Sequence, residues 1–116
     1  MLLCIGKSFR AKRETEMLSW HKEVALVKGS VIDSVQDAQT LEVRVTGGQV
    51  QGKSTPIKRY LVNGVPRRQV DFVGNLHGVL FWPEDLELIT DSPSIRRKYM
   101  DGVLAQIDRE YRRNLV

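Results

Sequence analysis

The stretch AQTLEVRVTGG, residues 38–48, decides the fold class because its apolar and polar side chains alternate. Apolar residues occupy every second position, at Leu41, Val43 and Val45, and polar residues stand between them. Successive side chains of a β-strand point to opposite faces of a sheet, so this spacing predicts a strand with one buried face.

Segments on both sides of this stretch extend the strand pattern. EVALVKGSVID, residues 23–33, precedes it, and IKRYLVNGVPRRQVDF, residues 57–72, follows it. The second contains Asn63-Gly64, the strongest two-residue hairpin signal, because both turn positions require positive φ. A further short strand is predicted from Val79 to Trp82, where Pro83 would end it. The sheet is therefore expected to be largely antiparallel and built from hairpins.

The spacing of apolar residues changes after Ser92. Ser92 and Pro93 suit the start of a helix, since serine is a favoured capping residue and proline has no N–H to lose in the first turn. Apolar residues then recur in four-residue steps, at Ile95, Tyr99, Val103, Ile107 and Tyr111. This pattern predicts an amphipathic helix of about six turns. The fold class is therefore predicted to be α+β, a largely antiparallel sheet followed by a long C-terminal helix.

A phosphate-loop pattern lies within GGQVQGKST, residues 47–55, where Gly47, Gly52, Lys53 and Ser54 stand at the required spacing. Such a loop binds phosphates because its backbone N–H groups, and the N-terminus of the helix that follows, point at the anion. Here Pro56 follows at once, and the Asn63-Gly64 turn leaves too little chain for that helix. We therefore interpret Gly47–Ser54 as a hairpin loop that binds no nucleotide. A small nucleotide-binding enzyme that uses Gly47–Thr55 stays open as an alternative.

Composition and charge limit the possible partners. The 116 residues carry 18 lysines and arginines against 14 acidic residues, and the net charge of +4 permits an anionic partner such as nucleic acid without requiring one. The single cysteine, Cys4, cannot form an internal disulfide. No apolar run approaches the length of a membrane span, so we expect no membrane partner and a cytoplasmic location. Residues 1–7, MLLCIGK, resemble the last turn of a helix, and both ends suggest a piece of a longer protein.

The stretch FWPEDLELITDSPSIRRKYMD, residues 81–101, resembles the signature segment of the RecF family of DNA repair and recombination ATPases, relatives of the ABC and SMC ATPases. Asp91 stands where the family has glycine, a departure that affects the turn before the helix. LLCIGKSFRAKRETEMLSW, YLVNGVPRR and GVLFWPEDLELI also resemble family segments, so the likeness covers nearly the whole chain. Eleven residues match the signature: Pro83, Glu84, Leu88, Ile89, Ser92, Pro93, Arg96, Arg97, Tyr99, Met100 and Asp101.

The resemblance implies a single partial domain, residues 1–116, of an ABC-ATPase-like head. Residues 1–90 would form the antiparallel part of its first lobe, and residues 91–116 would start its helical lobe. This piece would contribute lobe packing and DNA or inter-head contacts. The family's Walker A and Walker B motifs are missing from these 116 residues, so the chain alone is expected to hold no cofactor and to supply no catalytic residue.

The resemblance also implies a role for the complete protein. It would be a weak ATPase that binds ATP with Mg, contacts single- and double-stranded DNA, and dimerises its heads in the presence of ATP. It would help load a RecA-type recombinase at gaps, together with recombination mediator proteins. Its setting would be DNA replication, recombination and the SOS response, near the nucleoid of a bacterial cytoplasm.

Five basic residues are the candidate DNA contacts: Arg10, Lys12, Arg13, Arg96 and Arg97. Arg10 matches the arginine of the family's Ser-x-Arg turn and lies in a basic cluster that begins at Lys7. Arginine suits this role because its planar fork of donors matches phosphate oxygens. The alternatives are a solvated charged face or, for Arg96 and Arg97, ion pairs with Glu84 and Asp85.

Three other residues are assigned no part in chemistry. His21 and His77 have no partner at ligand spacing, so neither a metal site nor a catalytic residue is predicted. Trp20, beside a predicted strand, is expected in the core rather than stacked on a base.

A small basic module that binds DNA or protein without ATP stays open as a third function.

Overall fold

A computed structural model describes residues 1–80, 86–90 and 92–115 of the chain. In this part of the chain the strands are β1 (Val24–Ile32), β2 (Ala38–Thr46), β3 (Gln49–Val50), β4 (Lys53–Ser54), β5 (Lys58–Val62) and β6 (Val65–Arg67). The helices are α1 (Leu2–Ile5), α2 (Gln69–Phe72), α3 (Glu87–Thr90), α4 (Pro93–Ile107) and α5 (Arg109–Asn114), and a 3-10 turn spans Glu14–Met17.

The main sheet is antiparallel throughout, in the order β1-β2-β5-β6. Asn63 and Gly64 join β5 to β6 with φ of 51° and 77°, the positive values that their hairpin signal predicts. The Asn63 side chain also accepts a hydrogen bond from the Thr40 N–H at 2.8 Å, which holds this turn against β2. The predicted antiparallel sheet of hairpins is therefore confirmed.

The core lies on one face of this sheet. Leu41, Val43 and Val45 are 0%, 1% and 2% exposed, as their alternation predicts, and Phe72 of α2 is fully buried against them. The ring centroids of Phe72 and Tyr60 lie 5.1 Å apart. Leu2 and Leu3 of α1 and Met17 of the 3-10 turn also pack against this cluster, so short helical segments cover the buried face of the sheet.

The predicted six-turn helix is wrong in its extent. The backbone of Asp108 is extended, with φ −121° and ψ 115°, and it separates α4 from α5. The Asp108 carboxylate accepts a hydrogen bond from the Tyr111 N–H at 2.9 Å and so caps the start of α5. The Tyr111 hydroxyl in turn donates to Asp101 of α4, which fixes the angle between the two helices.

The buried face of α4 also differs from the predicted apolar stripe. Tyr99 and Ile107 are 43% and 65% exposed, whereas Ala105 and Gln106 are buried. The Gln106 side chain accepts from the Gly78 N–H at 2.8 Å and donates to the Gly78 carbonyl at 3.2 Å. A polar side chain therefore anchors α4 to the rest of the domain.

Arg112 anchors α5 in a similar way. Its guanidinium donates to the carbonyls of Val70 at 2.7 Å and Gln106 at 3.2 Å, and also to that of Ala105. Burial lowers the pKa of Arg112, although this group remains a cation. Gly74, with φ of 96°, packs so closely that a Cβ there would lie 2.5 Å from Arg112 Nη2.

Two further expectations differ from the structure. Val79 and Leu80 lie outside any strand, and the rest of the predicted strand, Phe81 and Trp82, falls outside the described residues. Trp20 is 90% exposed, so its assignment to the core is wrong.

Candidate functional site

The phosphate-loop pattern folds as a small hairpin. β3 and β4 pair antiparallel, with Gln51 and Gly52 at the turn in positive φ (49° and 75°). The chain then runs through Pro56 into β5 instead of entering a helix behind Lys53. The predicted hairpin is confirmed, and its glycines serve the turn geometry.

The basic cluster lies on a loop of seven residues, 7–13, between α1 and the 3-10 turn; we call it the basic loop. Ser8 Oγ accepts hydrogen bonds from the N–H groups of Arg10 at 3.2 Å and Ala11 at 3.0 Å. The Lys12 N–H donates to Glu16 at 2.9 Å. These bonds hold the backbone of the loop, and its four basic side chains are exposed: Lys7, Arg10, Lys12 and Arg13.

The basic loop forms one wall of a groove of about 790 Å³. The opposite wall is the α4 surface that carries Ile95, Lys98 and Tyr99, and Gly78 and Val79 also line it. We call this feature the basic groove. Its cationic lining consists of Lys7, Arg10, Lys12, Arg13 and Lys98. Glu14 also lines the groove, but its carboxylate is bonded to Lys58.

The two arginines of the signature lie elsewhere. Arg96 donates to the carbonyls of Leu88 at 2.8 Å and Ile89 at 3.2 Å, near the carboxyl end of α3. Arg97 is exposed, and neither arginine is among the residues that line the basic groove. The alternative partners Glu84 and Asp85 fall outside the described residues. Arg96 thus has a structural contact that the sequence did not indicate.

The other signature residues surround α4. Ser92 precedes the helix and Pro93 occupies its first turn, as predicted. Tyr99 lines the basic groove, and Asp101 accepts from Tyr111. Pro83 and Glu84 fall outside the described residues.

A second charged cluster lies under α5 and was not found from the sequence. Asp71 accepts from Arg109 at 2.6 Å and from Arg68 at 3.1 Å, and these bonds, led by the one from Arg109, lower the pKa of its carboxyl group. The cluster borders an open depression of about 680 Å³ that Arg67 and His77 also line. Because Arg109 is bonded to Asp71 and Arg112 to backbone carbonyls, we regard the cluster as structural.

A partly buried polar cluster lies behind the basic loop. Lys58 Nζ donates to the Gly6 carbonyl at 2.7 Å and to Glu14 Oε1 at 2.5 Å. The Tyr60 hydroxyl donates to the same Gly6 carbonyl at 3.2 Å. Burial, followed by the nearby charge of Glu14, raises the pKa of Tyr60 to about 12.

No set of three or more His, Cys, Asp and Glu within residues 1–80, 86–90 and 92–115 has an arrangement suited to a metal ion. No helix in those ranges has the length and apolar character needed to cross a membrane.

Comparisons with known proteins agree with this fold. No family model matches the chain. It is 34% identical over 115 residues to the DNA replication and repair protein RecF of Oenococcus oeni, a match that covers 99% of this chain and 29% of that protein. It is 38% identical over 122 residues to the RecF of Thermomicrobium roseum, covering 98% of this chain and 30% of that protein.

Solved RecF structures share the whole described fold. A structure described as the recombination mediator protein RecF-ATPrS in the RecFOR pathway superposes with a TM-score of 0.85 at 30% identity, over 98% of this chain and 29% of that one. The corresponding RecF-ATP structure gives a TM-score of 0.82, also at 30% identity, over 98% of this chain and 30% of that one. The relatives and the solved structures together support the chain as a segment of a RecF-type protein.

The chain spans somewhat under a third of the length of the RecF proteins that it matches. The α+β fold expected for a RecF segment is confirmed by the RecF structures. Lys98 is the groove residue that sequence reasoning missed. It follows Arg96 and Arg97 directly in the sequence. Ile95 and Tyr99 also line the groove, and counting helical positions from them would have placed Lys98 on the groove side of α4.

Proposed function

We propose that this RecF-type segment supplies a DNA-contacting surface to a protein of DNA replication, recombination and repair, and that the basic groove is that surface. The observation that carries the proposal is the convergence of five cations from two separate segments, the basic loop and α4, on one groove. A groove lined by cations attracts the phosphate backbone of nucleic acid. The match to RecF over nearly the whole chain favours DNA among the polyanions.

The proposed contacts divide by chemistry. Arg10 and Arg13 can each present two donors to a phosphate, whereas Lys12 and Lys98 act as point charges. Tyr99, on the same wall as Lys98, offers a ring on which an unpaired base can stack. A surface with both features would suit a junction of single- and double-stranded DNA. Arg96 and Arg97 are proposed as a second, outer contact or as part of an inter-head surface.

The wider role is also a proposal. We infer that the complete protein binds ATP with Mg, forms an ATP-dependent head dimer, and helps load a RecA-type recombinase at gaps with mediator proteins. We place it near the nucleoid of the bacterial cytoplasm and in the SOS response. Residues 1–90 would belong to the first lobe of the head, and residues 91–116 would begin the helical lobe.

The residues at hand do not fit an ATP site of their own. No helix begins directly after Lys53, so the hairpin at Gln49–Ser54 lacks the helix N-terminus that a phosphate loop requires. No glycine-rich loop elsewhere among the described residues leads into such a helix. We therefore assign no step through ATP to this chain and expect no hydrolysis from it alone.

Binding of a fluorescent gapped duplex, measured by anisotropy at several salt concentrations, tests the proposal. If all five cations contact phosphates, the slope of log K against log salt has a magnitude of about 4 to 5. The triple variant Arg10→Gln, Lys12→Gln, Arg13→Gln should reduce this magnitude by roughly 2 to 3. Arg113→Gln removes an exposed charge outside the groove lining and serves as the control. Equal slopes for the triple variant and the wild type would exclude the groove as the DNA surface.

A further inference from the structure

We propose that Lys58 is a positioning residue that fixes both ends of the basic loop from beneath. This inference rests on the proposed role of the basic groove, because it concerns what holds one wall of that groove in place. The juxtaposition is unusual, since one ammonium group bonds to Gly6, immediately before the loop, and to Glu14, immediately after it.

Lys58 reaches the loop from inside the domain. In β5 it pairs with Val45 of β2, so its side chain lies on the face of the sheet that carries the core. Only 12% of that side chain is exposed, and Nζ lies 5.8 Å from the Tyr60 ring centroid. A lysine enclosed to this degree requires partners for its charge, and the described partners are the two ends of the basic loop.

Each end of the loop is fitted to this contact. Gly6 ends α1 with φ of 68°, and a Cβ at this position would lie 2.7 Å from the Tyr60 ring. At the other end, Glu14 Oε2 is buried without a hydrogen-bond partner among the described residues, although the side chain as a whole is 39% exposed. Glu14 therefore depends on Lys58 for the described partner of its carboxylate, and displacement of Lys58 would leave this partly buried carboxylate without that partner.

The functional consequence is that Lys58 affects the groove without lining it. The four basic side chains of the loop repel one another, and a free loop would spread them apart. Anchoring both ends limits that spread and presents the charges at fixed spacing, which lowers the entropy lost when a polyanion binds. Lys58 should therefore influence affinity for DNA without adding a phosphate contact.

Amide hydrogen exchange of Lys58→Met in the 116-residue chain tests the inference without DNA. Methionine keeps the length of the side chain and removes its donor. The bonded amides of Arg10, Ala11 and Lys12 should exchange about tenfold faster, the loss expected for a charged hydrogen bond, while the Val43 amide in β2 keeps its rank among the slowest. If Lys58 only supports the core, the chain loses stability overall while the loop amides keep their wild-type rates, and the proposal fails.

Three companion variants cover the case in which Lys58→Met does not fold. Glu14→Gln keeps Lys58 and its bond to Gly6, so faster exchange is expected at Lys12 but not at Gly6; an unchanged Lys12 amide would overturn the proposal. Tyr60→Phe removes the weaker bond to Gly6 and leaves Lys58 in place, so the loop amides should stay within about threefold of the wild type. Lys58→Arg, which keeps the charge, should restore most of the protection lost in Lys58→Met.

The DNA assay separates this inference from the proposed function. Lys58→Met should weaken binding about tenfold with an unchanged salt slope, because no phosphate contact is removed. If the wild-type chain binds no DNA, the proposed DNA-contacting role of the basic groove is refuted. The exchange result still decides the role of Lys58 in that case. A reduced salt slope in Lys58→Met would instead make Lys58 a direct contact and refute its positioning role.

Discussion

Gly74 offers a test of how α5 is attached, because the chain contains a matched control for it. Gly74 and Gly48 have nearly the same φ, 96° and 95°. A Cβ at Gly74 would lie 2.5 Å from Arg112 Nη2 and 2.8 Å from the Gln106 carbonyl oxygen, whereas a Cβ at Gly48 would meet nothing within 4 Å. Both alanine variants therefore place a non-glycine residue at positive φ, and they differ in the space available.

The magnitudes can be worked out from these contacts. A non-glycine residue in such a backbone conformation costs about 1–3 kcal/mol, and both variants incur this cost. Gly74→Ala must also displace the Arg112 guanidinium or the backbone of Gln106, and overpacking of this kind costs a further 1–3 kcal/mol. We therefore expect Gly74→Ala to lower the free energy of unfolding by about 2 kcal/mol more than Gly48→Ala does.

Urea denaturation followed by far-UV circular dichroism measures the difference, provided that the two variants have equal m-values. Adding Arg112→Met to each glycine variant identifies the group responsible. If the guanidinium clash dominates, the cost of Gly74→Ala falls in the double variant, while the cost of Gly48→Ala does not change. Equal destabilisation by Gly74→Ala and Gly48→Ala would refute the close packing of α5 against Gly74.

Three other predictions concern separate parts of the fold. Because the pKa of Tyr60 is raised from 10.0 to about 12, the unfolded state binds fewer protons than the folded state between these values, so stability should fall as pH rises from 10 to 12. Tyr60→Phe should flatten this fall in urea titrations, and an unchanged slope would count against a buried Tyr60. Asp108→Ala should cost about 0.5–2 kcal/mol through loss of the α5 cap, with exposed Glu110→Ala as the control in the same denaturation assay. The exposed apolar side chains of α4 are Tyr99, Met100 and Ile107, and they should make the isolated chain self-associate or unfold easily. A stable monomer at high concentration in sedimentation would contradict this.

The sequence predicted those features whose cause is local. The alternation around Val43 specified the buried face of β2, and Asn63-Gly64 specified the turn into β6, because each signal arises from neighbouring residues. The break at Asp108 was missed because apolar residues continue in four-residue steps to Tyr111 across it. A capping aspartate inside an apolar repeat competes with helix continuation, and the break is accompanied by a long-range contact of Arg112 with Val70 of α2 that no local pattern indicates.

The candidate site was predicted only in part for a similar reason. The basic loop was visible as a run of charges near Arg10, but its neighbour across the groove, Lys98, lies far away in the sequence. The role of Lys58 had no signal at all, since lysine on a strand is ordinarily a solvent-facing residue. Contacts between segments some 45 to 90 residues apart depend on the closed fold, so no local pattern indicates them.

The contact between Gln106 and Gly78 restricts which residues position 106 can accept. The side-chain amide offers one acceptor and one donor, in the arrangement of a peptide group, and it meets the N–H and the carbonyl of one backbone residue. Glutamate would turn an acceptor toward the Gly78 and Gly102 carbonyls, and leucine would leave the Gly78 N–H without its partner. The Gln106 side chain therefore pairs with the backbone of Gly78 as a neighbouring strand would, and this pairing makes the position of α4 along the domain sensitive to the chemistry of one amide.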